Sequence, residues 1–205
     1  DSCQIGGNLA TNAGGIKAVR YGVTRNQVYA VQIVTPYGDI VDLGSPLKKC
    51  STGYCMEQLV IGSEGTLGII TQVTLKLQPL PPYKIDMLAI FHDQMAAIGV
   101  VPQLVKAGID PTSIEYMDNP NVRTTSEYLE FPGAPHIEDG IYVIITIETF
   151  NEDELDMKME QASDICEAAG AVDVLEADER IWSMRRNCLE SVSLISKVCT
   201  TDDVV

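Results

Sequence analysis

The stretch GSEGTLGIITQVTLKLQPLPPYK (Gly62–Lys84) begins with glycines at 62, 65 and 68, continues with Ile70, Val73, Leu75 and Leu77 set among threonine, glutamine and lysine, and ends on prolines at 79, 81 and 82. Its middle reads as a β-strand. The prolines forbid a continuing helix or a central strand, because each fixes φ and lacks an N–H. A domain boundary is therefore expected there, dividing residues 1–80 from 81–205. The glycine segment feeds a strand instead of opening a helix, so it is not a Rossmann fingerprint, and taken alone it reads as a bulged turn as readily as a ligand site.

Upstream, GGNLATNAGG (Gly6–Gly15) places four glycines and two asparagines ahead of any hydrophobic run. Glycine costs backbone entropy, so such a cluster implies positive φ or close approach to the backbone: a turn or a cradle. Between the clusters, QVYAVQIVTPYGDIVDL (Gln27–Leu43) reads as a hairpin turning at PYGD. The first domain is thus expected to be sheet-dominated. Both clusters can offer backbone N–H groups, and neither carries bulk that would block a flat or phosphorylated ligand.

Downstream the order changes to strand, helix, strand, helix. KIDMLAIF (Lys84–Phe91) reads as a strand, and Asp93 caps a helical stretch toward Gly108 that Gly99 and Pro102 are expected to interrupt. TSIEYMD and GIYVIITIETF (Gly140–Phe150) read as strands. Asn151 and Glu154 form a capping-box pattern, and Leu155, Met159, Ala162, Ile165 and Ala169 recur at helical spacing before Gly170. AVDVLEA is a last strand, and DERIWSMRRNCLESVSLI a last helix opening on two acids. The order fits an α+β layer of ferredoxin-like type, one sheet with helices on one face.

The chain has 205 residues, 45% of them hydrophobic, and 29 acidic against 14 basic residues give a formal charge of −15. That charge repels phosphate backbones and argues against nucleic acid as a partner. No run suits a membrane span. The six cysteines, Cys3, Cys50, Cys55, Cys166, Cys188 and Cys199, form no C-x-x-C pair and read as reduced thiols of a cytoplasmic protein. His92 and His136 are the only histidines; neither has a spaced partner, so no metal is expected in this segment.

GGNLATNAGGIKAVRYGVTRNQVYAVQIVTPYGDIVDLG, then TGY and LVIGSEGTLGIITQVTLKLQPLP, closely resemble the second half of the FAD-binding domain in the vanillyl-alcohol oxidase and p-cresol methylhydroxylase (PCMH-type) flavoprotein superfamily. The nearest branch is the FAD-linked D-lactate dehydrogenase, D-2-hydroxyglutarate dehydrogenase and glycolate oxidase FAD-subunit group. SIEYMD and ADERIWSMRRN are similar to segments of that group's cap domain, which covers the flavin and receives the substrate. The resemblance implies a cradle: Gly6, Gly7, Asn8, Thr11, Asn12, Ala13 and Gly14 on one side of the FAD, with Glu64, Gly65, Leu67, Gly68, Ile69 and Ile70 along the other. It implies that Arg185, in the Trp-x-x-Arg segment, binds the carboxylate of a small 2-hydroxy acid, while Arg186 points about 100° away around the helix. Leu189 and Thr201 stand where some relatives place further polar contacts, so the acid is left open. The implied reaction passes hydride from the substrate α-carbon to FAD and electrons onward to an acceptor protein or quinone. By the same resemblance, the first half of the FAD domain lies before Asp1, and a histidine-rich metal and proton-transfer segment lies past Val205. Two other readings stand: a transferase of the alkyl-dihydroxyacetone-phosphate synthase kind, and a non-catalytic truncated chain.

Overall fold

The computed structural model describes residues 3–198; Cys199 and Thr201 lie outside them. The chain folds as two compact units, Asp1–Leu80 and Pro81–Val205.

In the first unit, β1 (Val28–Val34) is the centre of a three-stranded antiparallel sheet, with β2 (Ile40–Gly44) on one side and β3 (Ile69–Leu75) on the other. The hairpin closes through Thr35 N–H to Asp39 O and Gly38 N–H to Thr35 O. In β3, Ile70 pairs with Ile33 and Gln72 with Gln32, so Thr71 is a bulged extra residue. That bulge explains why Ile70 and Val73, an odd number of residues apart, both pack on the core. The core lies on one face of the sheet, where Leu9 of α1 (Ile5–Thr11) and Val60 of α3 (Met56–Val60) meet Val28, Val31 and Ile33. A short helix, α2 (Ala18–Tyr21), and a 3-10 turn at Thr24–Gln27 lead into β1.

The second unit is a four-stranded antiparallel sheet in the order β5 (Ser113–Met117), β6 (Ile141–Thr149), β4 (Tyr83–Phe91), β7 (Asp173–Glu176). All nine residues of β6 are buried. Met87, Ala89, Phe91, Val143 and Ile145 point to one face, packing on α4 (Gln94–Lys106) and α6 (Glu152–Ala168). Leu88, Ile90, Tyr142 and Ile144 point to the other, under α5 (Asn119–Tyr128) and α7 (Glu179–Arg186). The one-faced layer expected from the sequence is thus corrected: a central strand apolar on both faces has to be covered twice.

Within this unit, three elements depart from the sequence reading. Helix α4 runs unbroken through Pro102; Ile98, whose carbonyl loses its i+4 donor, lies on the exposed side, while Ala97, Val100 and Leu104 anchor the buried side. Helix α5, absent from the reading, is announced by Asp118, whose carboxylate accepts from Asn121 N–H, and by Pro120 in its first turn. The final helix stops at Arg186, and Asn187 leads into a short α8 (Cys188–Ser191).

Candidate functional site

In the first unit the two glycine clusters are hydrogen-bonded side by side. Gly62 N–H donates to Leu9 O and Glu64 N–H to Ala10 O, both at 2.9 Å. The second cluster thus satisfies the carbonyls that end α1. Asn12 closes α1 in the left-handed conformation, φ 53°, and its Oδ1 accepts from Arg25 N–H at 2.9 Å. Arg25 in turn donates from Nη2 to Ile61 O at 2.8 Å, and Thr24 donates from N and Oγ1 to Ala13 O. Asn12 and Ala13 are thereby fixed from both sides. Asn8 Nδ2 faces Cys3 Sγ, and Thr11 Oγ1 donates back to Gly7 O.

The glycines of the two clusters differ in kind. Gly62, Gly65 and Gly68 all have positive φ, and a Cβ on Gly68 would stand 2.9 Å from Val34 O; these residues are required by the backbone. Gly6 and Gly7 lie inside α1 without positive φ, and a Cβ on either would meet nothing within 4 Å. The turn half of the sequence reading therefore fails for Gly6 and Gly7. Their own fold does not require glycine, and their backbone is left uncovered. Gly6, Gly7, Thr11, Gly14, Glu64, Gly65, Leu67 and Ile69 are exposed, Asn8, Asn12, Ala13 and Ile70 partly so, and Gly68 is buried. Among the described residues, the N–H groups of Gly65 and Leu67 have no backbone acceptor. The TGY segment lies elsewhere, on a cleft of about 400 Å³ with Cys50, Cys55 and Lys76.

In the second unit, Asp178 caps α7 by accepting from Arg180 N–H and Ile181 N–H. Burial raises the Asp178 pKa, but hydrogen bonds from the Arg180 side chain and the Ile181 and Arg180 amides outweigh it and hold the carboxyl below its ordinary value. Ile181, Trp182 and Met184 bury one side of the helix. That leaves Arg185 reaching across to β5, where its Nε donates to Glu115 Oε2 at 2.6 Å. Arg186 turns back along α7 to Glu179. The two arginines thus part as helical geometry requires. Glu115, mostly buried beneath Arg185, was not singled out from the sequence; its only signal was a charged residue inside the strand SIEYM. Cys188, one helical turn on, has its thiol pushed up by burial, with Arg185 pulling the other way. Leu189 is exposed.

His92 and His136, without partners in the sequence reading, meet in the fold. Their ring centroids are 5.8 Å apart, and Asp139 lies 3.4 Å from His92 Nδ1.

Among the described residues no helix is long and apolar enough to cross a membrane, and Cys3, Cys50, Cys55, Cys166 and Cys188 are free thiols.

Comparison with known proteins matches residues 80–205 to the family described as FAD linked oxidases, C-terminal domain, and residues 1–44 to an FAD binding domain. The chain is 39% identical to the D-lactate dehydrogenase of Anaerostipes hadrus over 98% of its own length and 44% of that protein. It is 33% identical to the glycolate oxidase subunit GlcD of Bacillus subtilis, over 97% of the chain and 43% of the relative. The D-2-hydroxyglutarate dehydrogenase of Stutzerimonas stutzeri is 30% identical over 94% and 42%. The chain thus spans less than half the length of these relatives. Among solved structures, an alkyldihydroxyacetonephosphate synthase superposes with TM-score 0.69 at 22% identity over 93% of this chain and 36% of that one. A p-cresol methylhydroxylase superposes with TM-score 0.63 at 15% identity over 82% and 38%. These two likenesses concern the fold alone. With the family match covering more than half of its residues, the chain belongs to the FAD linked oxidases.

Proposed function

We propose that the whole protein oxidises a small D-2-hydroxy acid of the D-lactate, glycolate or D-2-hydroxyglutarate type, with this chain supplying one side of the FAD site and part of the substrate site. The observation that carries the reading is the pairing of the two glycine clusters, with Gly6 and Gly7 left open. Their bare backbone and the N–H groups of Gly65 and Leu67, which have no backbone acceptor among the described residues, fit a ligand that is flat and rich in acceptors. Bound FAD would supply the two-electron acceptor for hydride from the substrate carbon. Gly6, Gly7, Asn8, Thr11, Asn12, Ala13 and Gly14, with Glu64, Gly65, Leu67, Gly68, Ile69 and Ile70, would line it, chiefly through backbone groups.

Arg185 would hold the substrate carboxylate. Glu115 occupies its Nε and Cys188 lies within hydrogen-bond reach of the guanidinium; these contacts keep the side chain aimed, and its remaining N–H groups can meet an incoming carboxylate. The printed names of the relatives at 30–39% identity favour hydroxy-acid chemistry; the synthase likeness, at 22% identity, does not weigh against it. Reduced flavin would pass its electrons to an acceptor protein or quinone. Anaerobic mixing of the FAD-loaded whole protein with D-lactate, glycolate and D-2-hydroxyglutarate tests the reading. At least one acid should bleach the flavin's visible band and yield one 2-oxo acid per flavin. Bleaching by dithionite but by none of the acids would reject it.

A further inference from the structure

We propose that His92, His136 and Asp139 form a binding site for a divalent zinc-type ion at one end of the second unit's sheet. Each of the three offers a ligand atom within 4.8 Å of the other two. His92 Nδ1 and Asp139 Oδ2 are 3.4 Å apart, close to the roughly 3.3 Å between neighbouring nitrogen and oxygen ligands of a tetrahedral zinc ion. The rings of His92 and His136 meet edge to face at 67°, and all three residues are exposed, so a small rotamer change brings the third ligand in. Asp173 is outside the group but stands 3.6 Å from His136 Nε2, so a slight approach would let its carboxylate accept from and orient a liganding imidazole. Two imidazoles and a carboxylate with an open fourth position suit zinc better than calcium or magnesium.

The fold builds this meeting from residues 44 positions apart, His92 and His136. Phe91 pairs with Ile141 and Ile90 with Asp173, so His92 leaves β4 where β6 and β7 begin. The loop carrying His136 is held by Gly140 N–H to His136 O, by Asn119 Nδ2 to the carbonyls of Ile137 and Gly140, and by the Tyr142 hydroxyl donating to Pro135 O. Gly140 permits the fold-back, since a Cβ there would stand 2.6 Å from His136 O and 3.0 Å from His136 Cβ. An ion here would tie the end of β4 to the loop entering β6, beside the start of β7.

The test is calorimetric titration of zinc chloride into the full chain carrying Cys3→Ser, Cys50→Ser, Cys55→Ser and Cys199→Ser, which removes the thiols exposed among the described residues and the one outside them. One ion per chain should bind, with His92→Ala and His136→Ala each weakening it more than tenfold and Asp173→Asn by about tenfold. Imidazole NMR of the unsubstituted histidines gives a readout that does not depend on a variant folding: zinc should shift both signals together and stoichiometrically. Overturning results would be no saturable binding tighter than about 100 µM, binding unchanged in both alanine variants, or zinc binding that leaves both imidazole signals unmoved.

Discussion

Arg185 and Cys188 show how local contacts set the chemistry of single residues. Arg185 is half-buried and already bonded to Glu115, so under the proposed reading it would meet a substrate carboxylate already oriented instead of sampling many rotamers. The Trp-x-x-Arg segment singled out the arginine but not its anchor, because Glu115 and Arg185 are seventy residues apart and only the packing of α7 against β5 brings them together. The thiols follow burial in the same way. Cys166, packed between α6 and the sheet, is pushed from 9.0 to about 11, by burial first and by Glu167 second. A raised thiol pKa favours the neutral folded form, so its contribution to stability is intact below about pH 9 and is lost as pH rises toward 11. At pH 8, iodoacetamide should label Cys3, Cys50 and Cys55 in the native protein and reach Cys166 only after unfolding, as peptide mapping would show. Native labelling of Cys166 at the rate of Cys50 would contradict this placement.

At the scale of elements, α7 depends on its first turn. Asp178 satisfies two amides there, and Asp178→Ala should cost about 1 kcal/mol, read as a lower denaturation midpoint with unchanged slope. The carboxyl's lowered pKa fixes the sign with pH: its contribution is present above the unfolded value and is lost as pH falls through the folded one. Elements with strong local signals were legible. The Gln27–Leu43 hairpin, the strand after Gly68 and the capped helix from Asn151 stand where patterning put them. Others were set by tertiary contacts. The first glycine cluster, read from composition as a turn or a cradle, begins as a helix, because Leu9 is pinned in the core and the N–H groups of Gly62 and Glu64 donate to its closing carbonyls. The one-faced expectation passed over the apolar run Ile141–Ile145 of β6, which puts apolar side chains on both faces, and α5 is a covering helix that the strand-by-strand reading lacked.

At the scale of the whole molecule, the paired glycine clusters lie in the unit ending at Leu80 and Arg185 in the unit beginning at Pro81. The cofactor and substrate assignments therefore rest on separate units and separate observations. The glycine clusters were legible as a pair in the sequence; that Gly62, Gly65 and Gly68 serve the backbone while Gly6 and Gly7 leave space was not, since it depends on φ and on neighbours distant in the chain. The most direct measurement is the anaerobic rate and efficiency of flavin reduction by the preferred 2-hydroxy acid in the whole FAD-loaded protein, comparing Arg185→Lys with Arg186→Lys. Lysine keeps the charge but loses the planar two-point grip, a loss of roughly 1.5–3 kcal/mol for a hydrogen bond to a charged group. Arg185→Lys should therefore lower kcat/KM about tenfold to a hundredfold with FAD still bound, and Arg186→Lys should change it less than about threefold. Equal activity in both variants, or loss of FAD from Arg185→Lys, would contradict the assignment of Arg185 to the substrate carboxylate.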